Sequence, residues 1–226
     1  MRPKGLANST RPGRRATRRD AQALVYGPKG VTNPHMFEVH ALWQGPFAWP
    51  RLSSSLPEAP RTPGVYLLTV EYAAGFLIYA AGITGRSVYA RLMEHGRAYR
   101  DGTYNVLDAG LLRQGKRSLI WQGFWMKPRP AERIAEFELR RVEITAAVAA
   151  QLAEFRIFVA NLGDDKRLRE RVEAAIMNCL YEEPPPASSI PDRGMMLAPR
   201  RTAEHPVHLV SHCGSRLHGL PSVLVV

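Results

Sequence analysis

The clearest hydrophobic pattern lies in the middle of the chain, where two short apolar runs stand close together. The runs GVYLLTV (64–70) and GFLIYAAG (75–82) are rich in β-branched and aromatic residues, which are enriched in strands. Only residues 71–74 separate them, and such a short connection is typical of a hairpin. We therefore predict two antiparallel strands here.

Helical patterns follow the hairpin. Apolar side chains recur at helical spacing in residues 88–100 and again in 166–183, where the prolines 184–186 end the helix. Residues 131–153 are rich in Ala, Glu, Arg and Leu without Gly or Pro, which predicts one long helix. Two further apolar runs, 118–126 and 155–162, are predicted as strands.

The order hairpin, helix, strand, helix, strand, helix indicates an α+β fold. We expect a small antiparallel or mixed β-sheet flanked by helices, with extensions at both ends. Trp43, Phe47 and Trp49 stand among prolines, which suggests a segment that wraps around the main body and packs its aromatic rings on it. The expected regions are a basic flexible arm (1–33), this wrapping segment (34–61), the central domain (62–183) and a loop-rich C-terminal extension (184–226).

The charge of the chain narrows its partners. The sequence has 31 Lys and Arg against 20 Asp and Glu, a net charge of +11, and its first 19 residues contain seven basic side chains and no acidic one. Such a surplus favours a polyanionic partner, nucleic acid before membrane. Within the arm, Arg14, Arg15, Arg18 and Arg19 are candidate phosphate contacts; a solvated leader and a mitochondrial presequence are the alternatives.

Several protein classes are disfavoured. No run approaches the ~18 apolar residues of a membrane span, and the first residues lack the apolar segment of a secretory signal. Cys179 and Cys213 are too few for a disulfide scaffold, which points to a reducing, cytoplasmic compartment. No hydrophobic helical face accompanies the N-terminal arginines, so a membrane-surface role is also disfavoured.

A set of five residues suggests phosphodiester chemistry. Tyr66 and Tyr79 can share one face of the hairpin, because alternate side chains of a strand point to the same side. Arg91 and His95 are four apart on one helical face, and Glu173 borders a buried face, where an unpaired carboxylate is costly. Phosphodiester hydrolysis needs a deprotonated nucleophile, neutralisation of the transition-state charge and stabilisation of the leaving oxygen. A hydroxyl or imidazole can meet the first need, a guanidinium the second, and a carboxylate with a metal ion the third.

This ordered set resembles the GIY-YIG nucleases. Gly64-Val65-Tyr66 and Tyr79-Ala80-Ala81-Gly82 are similar to the two signature strands of that family, and Arg91, His95 and Glu173 match its arginine, its frequent histidine and its metal-binding carboxylate. The resemblance covers about residues 62–183 and is strongest to the restriction-endonuclease branch. The second motif is one residue longer than in the family, which indicates a bulge or an insertion. Ile83 stands where a basic residue is usual, and Arg86 is the expected substitute and a candidate DNA contact.

The resemblance implies a metal-dependent, sequence-selective DNA endonuclease. Glu173 would hold one Mg²⁺ or a similar ion such as Mn²⁺, Arg91 would stabilise the phosphate charge and Tyr79 would position the phosphate. Tyr66 would act as general base on water, helped or replaced by His95. A phenol base needs a pKa well below its usual ~10, which Arg91 and the metal could provide. The expected partner is double-stranded DNA, and cutting a palindrome with one site per chain implies a homodimer.

Alternatives remain open at this level. Each of the five residues alone fits an ordinary structural role, and the set also fits a structure-selective repair or recombination nuclease or a nucleic-acid-binding protein without activity. Arg193 stands in a Gly- and Pro-rich stretch and is a further candidate DNA contact. The C-terminal His and Cys residues suggest a zinc site, but this hypothesis is disfavoured because their spacing matches no common zinc pattern. These are His205, His208, His212, Cys213 and His218.

Overall fold

The computed structural model describes residues 37–125 and 130–226, and within these ranges the chain is α+β, as expected. The strands are β1 (Phe37–Ala48), β2 (Gly64–Tyr72), β3 (Gly75–Thr84), β4 (Val106–Leu107), β5 (Leu119–Trp121), β6 (Phe155–Ala160), β7 (Val207–Cys213), β8 (Leu217–His218) and β9 (Val223–Val225). The helices are α1 (Val88–Arg100), α2 (Ala109–Arg113), α3 (Ala131–Leu139), α4 (Arg141–Glu154) and α5 (Lys166–Glu182).

The main sheet is larger than the small sheet expected from the sequence. In the described ranges it has the strand order β8-β3-β2-β6-β1-β7-β9, while β4 and β5 form a separate pair. It is a mixed sheet, because β1 pairs with β7 and β3 with β8 in parallel and the other neighbours are antiparallel. Helix α5 lies against β2 and β3, so it faces the predicted hairpin.

The hairpin itself is confirmed, and it contains a bulge. Leu68 pairs with Ala80 and Thr69 with Ile78, so Tyr79 is the extra residue on β3. A β-bulge of this kind places two residues of one strand opposite one residue of its partner and re-aims a side chain. The additional residue in the second sequence motif is therefore accommodated within the strand.

The prediction that residues 34–61 form a wrapping segment is partly wrong. Its aromatic side chains do pack on the body: Trp43 and Trp49 are buried, and Trp49 stacks on Phe155. However, residues 37–48 form strand β1 in the interior of the sheet, between β6 and β7. From 38 to 43 exposed and less exposed residues alternate, the period of a half-buried strand. The prolines that follow obscured this alternation.

The C-terminal extension is also more regular than predicted. Residues 207–225 contribute β7, β8 and β9 to the main sheet. Strand β7 pairs with β1 from Phe37–Val207 to Trp43–Cys213. Short strands of this kind are specified by a distant partner more than by their own sequence, so local periodicity did not reveal them.

The middle of the chain departs from prediction in three places. Residues 131–154 form two helices, because Arg140 (φ −97°, ψ 8°) leaves the helical conformation. Its guanidinium donates a hydrogen bond to the carbonyl of Ile120 and pairs with Glu136 and Glu143. The strand predicted at 118–126 is limited to β5, and the loop before it contains β4 and α2.

Helices α1 and α5 agree with the predictions and carry local start signals. Ser87 accepts a hydrogen bond from the amide of Ala90, and Asp165 accepts one from the amide of Leu168. Such side chains satisfy amides that have no partner within the helix. No helix in residues 37–125 or 130–226 is long and apolar enough to cross a membrane.

Candidate functional site

One cleft brings the five sequence-predicted residues together. It has a volume of about 370 Å³, and Tyr66, Tyr79, Arg91, His95 and Glu173 all line it. These side chains come from β2, β3, α1 and α5, which are separated along the chain by up to 107 positions. The sequence-based grouping is therefore a spatial grouping as well.

Tyr66 and His95 form the central contact of the cleft. The Tyr66 hydroxyl lies 2.7 Å from His95 Nε2, and His95 Nδ1 lies 3.2 Å from the hydroxyl of Tyr104. Gly82 pairs with Tyr66 across the hairpin, and a Cβ added there would lie 2.4 Å from the Tyr66 hydroxyl oxygen. The glycine of the second motif thus makes room for the phenol.

Burial determines the charge of this pair. It raises the pKa of the Tyr66 phenol above its usual value, and it outweighs the opposing effect of Arg91. The same cause lowers the pKa of His95 to about 4, with Arg91 adding to the effect. The expected depression of the Tyr66 pKa is therefore wrong for the protein alone, because desolvation disfavours the phenolate more than Arg91 favours it. Both groups are neutral at pH 7.

Arg91 reaches the cleft from α1, one turn before His95. Its guanidinium pairs with Glu94 at 3.1 Å, and Glu94 also pairs with Arg86 at 2.8 Å. The Arg86 side chain is 71% exposed and is not among the cleft residues. Arg91 is thus held at the cleft by a carboxylate, while the role predicted for Arg86 in DNA contact stays a prediction.

Glu173 is the carboxylate of the cleft whose charge is least compensated. It is half-buried on α5, and burial raises its pKa to about 7 despite the opposing effect of Arg91. Among the described residues it has no hydrogen-bond or ion-pair partner, because Arg91 pairs with Glu94 and acts on Glu173 only through proximity. A carboxylate in such a place is a candidate cation ligand.

The fit of a metal ion can be judged from the neighbours of Glu173. The ranges 37–125 and 130–226 contain no group of three His, Cys, Asp or Glu residues arranged to hold a metal. Zn²⁺ in a structural site needs four such ligands. Mg²⁺ keeps several waters and is often bound by one or two carboxylates together with substrate phosphates. The donor set therefore fits Mg²⁺ and does not fit a structural zinc ion.

Sequence reasoning missed Asp192, which anchors Tyr79. The Asp192 carboxylate accepts hydrogen bonds from the Tyr79 hydroxyl (2.7 Å), Asn105 Nδ2 (2.7 Å) and Arg117 Nη2 (2.5 Å). Its backbone carbonyl accepts another from the Tyr181 hydroxyl. The available signal was weak: Asp192 is the only acidic residue in the stretch 190–201. The C-terminal extension thus supplies part of the cleft wall.

Other predicted contacts lie elsewhere. Arg193 is exposed, its guanidinium lies 4.9 Å from the centre of the Tyr181 ring, and it does not line the cleft. The C-terminal His and Cys residues do not assemble with one another; His212 contacts His40 instead. Arg14, Arg15, Arg18 and Arg19 lie outside the described residues.

No protein-family model, curated protein or solved structure matches this chain.

Proposed function

We propose that the protein is a metal-dependent DNA endonuclease of the GIY-YIG type, with the sequence selectivity of a restriction enzyme. The observation that carries this proposal is the convergence of Tyr66, Tyr79, Arg91, His95 and Glu173 on one cleft. They lie on β2, β3, α1 and α5, and the packing of these four elements brings them together. Perturbed pKa values at Tyr66, His95 and Glu173 are further support, since such shifts cluster at functional sites.

The first chemical task is the activation of water. A phenolate at Tyr66 and an imidazolium at His95 are both disfavoured by burial. Once the negative charge of a bound phosphate compensates the imidazolium, the His95 ring can accept the phenol proton at Nε2 over 2.7 Å. With its own proton on Nδ1, the ring donates to the Tyr104 hydroxyl. Tyr66 can then take a proton from water while passing its own to His95. The two candidate bases act as one relay.

The second task is the stabilisation of the phosphate. Arg91 presents a planar guanidinium, which suits two phosphate oxygens better than a lysine would. Glu173 would hold Mg²⁺ or Mn²⁺, and when bound this ion supplies Lewis-acid stabilisation of the leaving oxygen. The Tyr79 hydroxyl donates its hydrogen bond to the Asp192 carboxylate. The Tyr79 oxygen can therefore only accept a hydrogen bond from a group bound in the cleft. That favours contact with water over contact with a phosphate oxygen.

The partner and setting follow from charge and chemistry. A net charge of +11 favours double-stranded DNA as the partner. One catalytic cleft per chain implies a homodimer for cleavage of both strands at a palindromic site. We place the protein in the cytoplasm, where DNA and reduced thiols coexist, and both Cys179 and Cys213 are free.

The proposal is tested by incubating the protein with unmethylated plasmid DNA and Mg²⁺ and sequencing the ends. Discrete fragments with a common end sequence are the expected result, and Glu173→Ala should abolish them while DNA binding survives. Glu182→Ala is the matched control, because Glu182 is exposed on the same helix and should have no effect.

Two outcomes would contradict parts of the proposal. Nicking confined to branched DNA would replace sequence selectivity by structure selectivity. Binding without Mg²⁺- or Mn²⁺-dependent cutting would leave a nucleic-acid-binding protein without nuclease activity.

A further inference from the structure

We propose that His40 and His212 form a binding site for a divalent transition metal ion, of the type Zn²⁺, Ni²⁺ or Cu²⁺. The two residues are 172 positions apart in the chain and lie on neighbouring strands of the main sheet, β1 and β7. They take no part in the cleft. The proposal is independent of the nuclease activity.

The strand register places the two imidazoles side by side. Strands β1 and β7 are parallel, with Leu42 directly opposite His212, so that His40 and His212 are diagonal neighbours. Both side chains are exposed on the outward face of the sheet. His40 Nδ1 lies 3.0 Å from His212 Nε2, and the rings stack with centroids 5.2 Å apart and planes 24° from parallel.

This geometry is close to that of two ligands on one ion. Zn²⁺ binds imidazole nitrogen at about 2.0–2.1 Å in tetrahedral geometry, which requires about 3.3 Å between two ligand nitrogens. The observed 3.0 Å contact needs a small opening, and the hydrogen between the two nitrogens must move to the other nitrogen of its ring so that both lone pairs face the ion. Because both rings are exposed, water can fill the other coordination positions. The facing nitrogens are brought together by the strand pairing before any ion arrives.

The imidazole ligands of His40 and His212 determine which ions can bind. Imidazole suits Zn²⁺, Cu²⁺ and Ni²⁺, whereas Mg²⁺ prefers oxygen ligands. The His40–His212 pair therefore does not compete with Glu173 for Mg²⁺. No third His, Cys, Asp or Glu joins the pair in residues 37–125 and 130–226, so binding depends on both rings. An ion bound there would tie β1 to β7.

The test is calorimetric titration of the full chain with Ni²⁺ in excess Mg²⁺, with thermal unfolding as a second readout. We expect His40→Ala and His212→Ala each to weaken binding by about tenfold or more, a loss of at least ~1.4 kcal/mol. Ni²⁺ should raise the Tm of the unmodified chain and not that of either variant. His208→Ala is the matched control: it lies on β7, four residues from His212 on the same face, and should bind normally.

Spectroscopy on the unmodified chain guards against a variant that fails to fold. Electron paramagnetic resonance of bound Cu²⁺ should detect two coordinated imidazoles in the unmodified chain and one in either single variant. Equal Ni²⁺ affinity in all three variants, or a single imidazole on Cu²⁺ in the unmodified chain, would overturn the proposal.

Discussion

Tyr66 and His95 are buried against each other, and at the residue scale this decides how the cleft can handle protons. Burial raises the pKa of the phenol and lowers that of the imidazole to about 4. Each group is therefore neutral over the physiological range, and each is the hydrogen-bond partner of the other. Arg91 acts electrostatically on both groups, while Glu173 acts on the phenol and Glu94 on the imidazole.

The relay predicts a non-additive pair of variants. Tyr66→Phe and His95→Ala should each lower single-turnover cleavage of a short duplex by ~10²–10⁴-fold, the usual contribution of a general base. The double variant should be little worse than either single variant, because residues that act as a unit are not additive. Near-normal cutting by Tyr66→Phe alone would assign the base role to His95 without Tyr66.

The raised pKa of Glu173 predicts that the free energies of unfolding of the unmodified chain and of Glu173→Gln differ by an amount that depends on pH. Its pKa is raised from 4.5 to about 7 in the folded chain, so the folded state holds the proton more tightly than the unfolded state. The stability that Glu173 contributes is therefore present below about pH 4.5 and is lost as the pH rises to about 7. Glu173→Gln should be more stable at pH 8 without divalent ions, by on the order of 2–3 kcal/mol, and nearly equal at pH 4.

Urea unfolding at pH 4 and pH 8 measures this difference. Addition of Mg²⁺ at pH 8 should narrow it, because the ion binds only the carboxylate of the unmodified chain. Equal stabilities of the two proteins at pH 8 would show that Glu173 is well solvated.

At the element scale, the hairpin and the helices matter because they bring distant side chains to one cleft. The bulge at Tyr79 keeps the paired register on both sides of an extra residue. Helix α1 carries Arg91 and His95 one turn apart, and α5 lies against the hairpin with Glu173. Loss of register in β3 would therefore disturb the cleft as a whole.

Gly82→Ala tests the hairpin. The added Cβ would lie 2.4 Å from the Tyr66 hydroxyl oxygen, so the phenol must move away from His95. We expect cleavage to fall by an amount comparable to Tyr66→Phe, with the far-ultraviolet circular dichroism unchanged. Gly85→Ala is the control, because its Cβ would meet its nearest neighbour at 3.6 Å. Equal activity of both variants would show that the phenol position is unimportant.

Asp192→Asn tests the contribution of the C-terminal extension. The amide removes the charge that Arg117 pairs with at 2.5 Å. Its NH2 group also replaces either the oxygen that accepts from the Tyr79 hydroxyl or the oxygen that accepts from Asn105 Nδ2 and Arg117. Breaking a partly buried network of this kind costs ~1–3 kcal/mol, so the Tm should fall. Cleavage at a temperature where the variant is folded should also fall if Tyr79 acts on water. Normal cleavage there would make the Asp192–Tyr79 contact purely structural.

At the scale of the whole molecule, the distribution of charge bears on the proposed binding of DNA. Of the 31 basic residues, seven precede residue 20. That arm lies outside the described residues, so its role rests on charge alone. Counterion release makes the salt dependence of binding a direct measure of phosphate contacts.

Deletion of residues 1–19 should weaken binding to all DNA sequences alike and make its salt dependence shallower. The cleavage pattern should be unchanged, because phosphate contacts position a protein while base contacts specify the site. Filter binding at several salt concentrations measures the slope. An unchanged slope would identify the arm as a solvated leader.

The sequence alone determined the elements with strong local periodicity and the residues they carry. The hairpin, α1 and α5 were predicted with their approximate bounds, because apolar spacing, turn length and helix-ending prolines act over a few neighbouring positions. The candidates Tyr66, Tyr79, Arg91, His95 and Glu173 followed from the resemblance of their order on those elements to the GIY-YIG nucleases. The α+β class followed in the same way.

Only the tertiary structure decided the rest. The positions of β1 and β7 in the sheet depend on partners far away in the chain, and so does the break at Arg140. Local periodicity cannot predict such partners. The same holds for Asp192 in the cleft and for the pair His40–His212. The pKa directions of Tyr66, His95 and Glu173 depend on desolvation, and the extent of burial is set only when distant elements close around a side chain.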